Sequence, residues 1–248
     1  MRIVLLNPNT TAELTDLMLA AGRKAAAPGT ELVPMTAPRG LPYISTQAEA
    51  QIAGAIAFEM LAEAGPVDAA IIAAFGDPGL LGARELFPFP VVGMAEAAML
   101  TACMLGRRFG IVTFSGALAP WYRDTVDLYG LGGRCAGVFP LQGRFTSITD
   151  VQGEKEELLV DLARHAAAAG SDTLIFAGAP LSGLAGRVAD RLPVPAVEQV
   201  AAAVRQAETL AILRAGAGAW PAPAYPPKPT SGLPAALASR IEGSASLP

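Results

Sequence analysis

Residues 68–82, DAAIIAAFGDPGLLG, recur in altered form as residues 172–186, DTLIFAGAPLSGLAG. Asp68/Asp172, Ala73/Ala177, Gly79/Gly183, Leu80/Leu184 and Gly82/Gly186 match at one constant offset. After one inserted residue the echo continues, as FPFPVV (87–92) meets LPVPAV (192–197), with Pro88 opposite Pro193 and Pro90 opposite Pro195. The openings of the two halves also align, RIVLLN (2–7) with FGIVTFS (109–115), pairing Ile3 with Ile111 and Val4 with Val112. Strand–helix units resemble one another by composition alone. A doubled P-x-P behind the same G-L-x-G asks for more than composition, and duplication is the better explanation. A chain duplicated in this way is constrained to fold as two similar lobes.

Each half alternates short apolar runs with longer Ala/Leu-rich ones, the pattern of parallel sheets covered by helices. In the first half, strands are expected over Arg2–Leu6, Glu31–Thr36, Val67–Ala74 and Pro90–Val92. Helices are expected over Thr10–Ala27 (with Thr10 or Thr11 as N-cap), Gln47–Gly65, Leu80–Phe87 and Ala95–Leu105. Phe109–Phe114 then starts the same order again. The fold class is therefore α/β, with two pseudosymmetric lobes, each a parallel sheet flanked by helices. Ligands of such proteins bind beyond the carboxyl ends of the strands, which here places a site between the lobes. Four loops converge on it: Asn7–Thr10, Phe75–Gly79, Ser115–Tyr122 and Gly178–Gly183.

With 248 residues, 52% hydrophobic and 16% charged, the chain has ample material for a large core. A net charge of −4 gives no electrostatic case for nucleic acid or an anionic membrane surface. The longest apolar runs are of strand length and the N-terminus shows no signal-peptide pattern, so a cytoplasmic protein is expected. Two cysteines, Cys103 and Cys135, have no Cys or His at metal-ligand spacing, and no metal is expected. Cys103 falls inside a predicted helix and Cys135 in a connecting segment, both as structural residues. His165, the single histidine, sits near the C-terminal end of a predicted helix, where an imidazolium suits the helix dipole.

Several stretches resemble the aspartate/glutamate/hydantoin racemase superfamily, and within it the hydantoin and allantoin racemases. They are IVLLNPNTT at 3–11, FGDPGL at 75–80, GMAEAAM at 93–99, LGRRFGIVT at 105–113, the Gly-rich turn at 178–184, and KPTSGLPAAL at 228–237. The resemblance covers essentially the whole chain. It implies two lobes, residues 1–105 with a returning segment 215–248, and residues 106–214. It also implies a short helix around Pro234–Ile241, no cofactor, a small-molecule substrate and a homo-oligomer of unspecified size. Without the resemblance, the Pro/Gly/Ala-rich tail from Gly216 would read as a linker, and only its last few residues are expected to be disordered.

Racemases of this superfamily use two cysteines, one from each lobe, as acid and base on opposite faces of a carbon acid. The alignment places Ala74 and Gly178 at those positions. Cysteine-based racemisation is therefore disfavoured. So is the decarboxylase variant of the family, which keeps only the second-lobe cysteine. The binding apparatus reads as retained. Asn9, Thr10, Phe75, Gly76, Ser115, Tyr122, Gly178, Ala179 and Pro180 are the candidate substrate contacts, with Trp121 and Arg123 near the entrance. Backbone N–H groups of the turns can serve developing negative charge.

Candidate catalytic groups are Ser115, Asp77, Tyr43, Ser45 and Glu96. Ser45 and Thr46 stand where hydantoin racemases tend to carry a Glu-Gly pair. Small residues at 74 and 178 are expected to widen the cleft. The leading expectation is a cysteine-independent hydrolase, desulfurase or lyase acting on a hydantoin-like ring or small carboxylate. The alternatives are a cysteine-independent racemase or isomerase and a non-catalytic binding protein.

Overall fold

In a computed structural model, the chain is described for residues 1–143, 145–216 and 226–243. The first half contains β1 (Arg2–Asn7), α1 (Ala12–Ala25), β2 (Glu31–Thr36), α2 (Gln47–Glu63), β3 (Ala69–Ile72), α3 (Leu80–Leu86), β4 (Val91–Gly93) and α4 (Met94–Leu105). The second contains β5 (Phe109–Thr113), α5 (Ala119–Leu128), β6 (Cys135–Pro140), α6 (Val151–Ala168), β7 (Thr173–Ala177), α7 (Leu184–Arg187), β8 (Ala196–Val197) and α8 (Gln199–Gly216). A last helix, α9 (Ala235–Ile241), returns to pack on α2, with the Arg240 guanidinium 5.4 Å from the centre of the Phe87 ring. The linker-like part of the tail and its final residues lie outside the described residues.

The strands form two parallel sheets of identical order, β2-β1-β3-β4 and β6-β5-β7-β8. The register refines the alignment of the two halves. Leu5 pairs with Ile71, and Ile111 pairs with Ile175, the repeat counterpart of Ile71. The partner of Ile111 is thus Leu5, not Ile3, and Asn9 corresponds to Ser115. A two-residue slip preserves the alternation of faces along a strand, so hydrophobic pattern alone does not detect it. Cys135 opens β6 rather than lying in a connection.

Period-two alternation divides the core. Ile3, Leu5, Ile71 and Ala73 face an inner core shared with Ile111, Leu174 and the residues around them in the second sheet. Val4, Leu6, Ala70 and Ile72 face outward and are covered by Ile56, Ala57, Met60 and Leu61 of α2 and by Leu80 and Ala83 of α3. The inner layer is made by an exchange. Helix α4 follows the last strand of the first sheet but packs against β5, β7 and β8. Helix α8 follows the last strand of the second sheet but packs against α1, β3 and β4, and the two helices pack on each other. The expected boundaries at 105/106 and 214/215 follow chain order, while the packing interleaves the halves.

One polar fastening secures this exchange. The nearly buried Glu208 carboxylate of α8 accepts the Ala27 N–H at 2.7 Å and the Thr30 hydroxyl at 2.7 Å, both in the turn between α1 and β2. His165 lies in the last turn of α6, edge-on to Phe139 at 6.0 Å between ring centres. Among the described residues no helix is long and apolar enough to cross a membrane.

Helix α2 reaches the loop after β3 through a backbone-to-backbone approach. A Cβ at Gly54 would stand 2.9 Å from the Gly79 nitrogen, and Gly79 has φ of +79°. Gly54→Ala is expected to destabilise the protein by about 1–3 kcal/mol despite the better helix propensity of alanine, because the neighbour is main chain and cannot rotate away. Urea denaturation monitored by circular dichroism measures it.

Candidate functional site

Asparagines organise the end of β1. The buried Asn7 amide donates to Thr15 Oγ1 at 2.9 Å, to the Thr11 carbonyl at 3.2 Å and to Asn9 Oδ1 at 3.1 Å, while its oxygen accepts the Asn9 N–H at 3.2 Å. Asn9 Oδ1 also accepts the Thr11 N–H at 3.0 Å. A backbone N–H can only donate, so the oxygen of Asn9 is fixed and its NH₂ faces elsewhere. That NH₂ has no partner among the described residues, and Asn9 is only 4% exposed. Thr11 is the N-cap residue of α1, but its hydroxyl donates to the Pro42 carbonyl instead of capping.

The turn after β7 is held by two glutamines. Gln199, at the start of α8, accepts the Gly178 N–H at 3.0 Å and donates to the Gly178 carbonyl at 2.6 Å. Gln152 of α6 donates to the Pro180 carbonyl at 2.8 Å and the Ser182 carbonyl at 2.9 Å. Glu198 accepts the N–H of Gly183 at 3.1 Å and of Ala201 at 2.5 Å, so it joins the same turn to the first turn of α8. Sequence reasoning missed all three. Their signal is a polar residue in, or just before, the first turn of a helix, which belongs to no catalytic motif.

Between these turns lies a cleft lined by Asn9, Tyr43, Ala74, Phe75, Phe114 and Trp121, and further by Tyr122, Gly178, Ala179 and Pro180. Ala74 and Gly178 thus share one cleft. Contrary to expectation, their small size does not widen it. Phe75 and Tyr122 meet edge-on at 4.8 Å, and Phe114 fills the space beside Gly178. The cavity that remains is about 30 Å³, small beside the usual sites for small molecules.

No charged side chain lines the cleft among the described residues. Donors of its lining residues that have no partner among the described residues include the Asn9 NH₂, the Tyr43 hydroxyl, the Trp121 indole N–H and the backbone N–H groups of Phe75 and Ala179. Phe75 and Ala179 occupy equivalent positions of the repeat, so each lobe offers one amide.

Of the candidate catalytic residues, only Tyr43 lines this cleft, from the loop before α2. Ser45 donates its N–H and hydroxyl to Glu49, beside the capping box that Thr46 and Glu49 form at α2. Ser115 Oγ accepts the Ala117 N–H at 3.3 Å and caps the short 3₁₀ turn there. Glu96 makes a two-pronged ion pair with Arg84. Thr10 donates its N–H to the Leu41 carbonyl, and Gly76 packs against the Trp121 indole on the side away from the cleft.

Asp77 has a larger structural part than turn capping. Its carboxylate takes the N–H groups of Ala95 and Glu96 at 2.8 Å each, capping α4, and the Tyr129 hydroxyl at 2.8 Å. Burial pushes its pKa up to about 7, against the pull of these three donors.

Both cysteines lie away from the cleft, Cys103 in α4 and Cys135 at the N-terminal end of β6. Cys135 pairs with Phe109, the first residue of β5, and the Cys103 carbonyl accepts from Arg134, which also binds the Gly106 and Arg107 carbonyls. Burial raises the pKa of each thiol, the reverse of what a nucleophile requires.

Two expectations follow from this geometry. A cysteine at 178 must adopt φ of +111° with its Cβ 2.7 Å from the Phe114 ring. Gly178→Cys should therefore cost about 2–4 kcal/mol in urea denaturation, and Ala74→Cys, where φ is not positive, markedly less. Because the Asp77 pKa rises from 3.8 to about 7 on folding, the folded state retains a proton that the unfolded chain releases between those values. Stability carried by this group falls as pH rises through that window, and Asp77→Asn should flatten the fall in urea midpoints measured from pH 4 to 7.

Comparison with known proteins places this arrangement in a family. The Asp/Glu/Hydantoin racemase family matches residues 3–207. The allantoin racemase from Klebsiella pneumoniae superposes with a TM-score of 0.86 at 34% identity, over 94% of this chain and 96% of that one. The allantoin racemase from Pseudomonas fluorescens gives 0.84 at 30% identity, over 94% of this chain and all of that one. The hydantoin racemase of Paenarthrobacter aurescens is 31% identical over 217 residues, 86% of this chain and 92% of its own length. With two matching sheets, a shared inner layer and a cleft at the strand ends, the chain belongs to the Asp/Glu/hydantoin racemase family.

Proposed function

We propose that this protein is an enzyme acting on a neutral, hydantoin-like ring by a reaction that uses no thiol and no cofactor, of hydrolase, desulfurase or lyase type. The observation that carries this reading is the cleft itself, which pairs unused amide donors with no cysteine and no charged side chain. A hydantoin offers carbonyl oxygens to those donors and an apolar or aromatic 5-substituent to Phe75, Phe114 and Trp121. A free carboxylate or ammonium group would lose its hydration there without a counter-charge, which disfavours amino acids themselves. Amides aimed at a carbonyl polarise it toward attack by water or toward bond cleavage that leaves charge on oxygen.

A second reading, a cysteine-independent racemase or isomerase of the same ring, is favoured by the 31–34% identity to hydantoin and allantoin racemases over most of the chain. Proton NMR in D₂O separates the two, using 5-substituted hydantoins, thiohydantoins, allantoin and small dicarboxylates. Conversion of a hydantoin or thiohydantoin to a new compound, without prior exchange at its α-carbon, is the expected outcome. Exchange without a new compound would establish the second reading and overturn the first. Line broadening with neither change would mark a binding protein, and preference for the dicarboxylates would refute the neutral-ring assignment.

A further inference from the structure

The side-chain volume absent at Gly178 is occupied by the Phe114 ring, 2.7 Å from an added Cβ, and from α5 by Tyr122. A Cβ at this position would lie 3.4 Å from the Tyr122 hydroxyl oxygen, so the phenol reaches the place that a short side chain at 178 would otherwise use. Tyr122 is 2% exposed and lines the cleft, with its ring fixed edge-on against Phe75. Its hydroxyl lies beside the Thr113 side chain. Thr113 Oγ1 gives its own proton to the Ala177 carbonyl at 3.1 Å, so toward Tyr122 it can only accept. Among the described residues the phenolic proton thus meets at most the neutral Thr113 lone pair, and it can turn about the C–O bond.

We infer that Tyr122 is a catalytic residue, whose neutral hydroxyl turns from Thr113 to the substrate and donates to the oxygen on which negative charge develops. The assignment rests on the proposed hydantoin-like substrate. Burial pushes the phenol's pKa up, and the charge of Asp77 adds to the rise. The group therefore stays protonated at neutral pH. A protonated donor in a site without bulk water stabilises a nascent oxyanion far better than it binds the uncharged carbonyl, which is the condition for catalysis. The Phe75 and Ala179 amides approach from the two strand ends, and Tyr122 supplies the side-chain donor on the second-lobe side. Turning away leaves Thr113 with an unused lone pair, a small loss beside an unsatisfied donor.

The test compares wild type, Tyr122→Phe and Thr113→Val on 5-benzylhydantoin and the matching thiohydantoin, with dissociation constants from saturation-transfer NMR and turnover from product signals. The expected result is a turnover about 100- to 1000-fold lower in Tyr122→Phe, with a dissociation constant changed less than about tenfold. Thr113→Val keeps the Tyr122 hydroxyl but removes its neighbour together with the bond to the Ala177 carbonyl, and should lose at least about tenfold less turnover than Tyr122→Phe. Unchanged turnover in Tyr122→Phe overturns the assignment. So does an equal loss in both variants, which would mean that the polar groups around Tyr122 are structural. Wild-type binding without turnover overturns the catalytic role and leaves the substrate class standing. Absence of wild-type binding to either compound overturns the substrate reading, and this inference with it.

Discussion

Each of the two sheets has an inner face of buried aliphatic side chains that its own half of the chain does not fully cover. The cover comes from the helix that follows the other sheet's last strand. Helices α4 and α8 therefore determine more than layer packing, because each begins at the mouth of the cleft. Both starts are joined to a site turn by charged or polar side chains, with the roles reversed between halves. In the first half the carboxylate of Asp77 sits on the turn and the amides of Ala95 and Glu96 belong to the helix. In the second half Glu198 and Gln199 sit at the helix start and the amides of Gly183 and Gly178 belong to the turn. The same joint is built twice with different residues, and it sets the position of Ala74 and Gly178 relative to one another.

That joint accounts for the absence of conventional acid–base groups from the cleft. Ionisable residues near it are committed elsewhere: Asp77 to α4 and Tyr129, Glu96 to Arg84, and Glu49 to the N-terminus of α2. What remains is an aromatic box with a few directed donors. Such a lining offers no counter-charge to a charged group.

The sequence made the fold legible because duplication is visible as a repeated order of strand, glycine turn and P-x-P, and each repeat carries the apolar periodicity of its element. Strand order and the existence of the cleft follow from that order. The helix exchange does not, since α4 and α8 are apolar on more than one face and nothing in their composition names the sheet they cover. The site was only partly legible. Phe75, Ala179 and Asn9 line the cleft from strand-end loops, and Tyr122 lines it from α5. Ser45, Ser115 and Asp77 also stand at strand or helix ends, but their short side chains are committed to the Glu49 carboxylate, the Ala117 amide, and the Ala95 and Glu96 amides with the Tyr129 hydroxyl, and spacing does not encode such commitments. The expected widening at 74 and 178 failed because volume released by small residues was taken up by rings from distant positions.

The exchanged helices also bear on how such a chain can arise. A single half, with one sheet and one trailing helix, would leave an apolar sheet face bare while its helix extended away with no sheet beneath it. Two copies together would resolve both defects by trading helices across a twofold axis, as swapped dimers do. The described chain has that arrangement within one polypeptide, with the stretch from α4 to β5 in place of the symmetry axis. Once the two copies are covalently joined, their strand ends are free to diverge, and Ala74 and Gly178 no longer need to be the same residue.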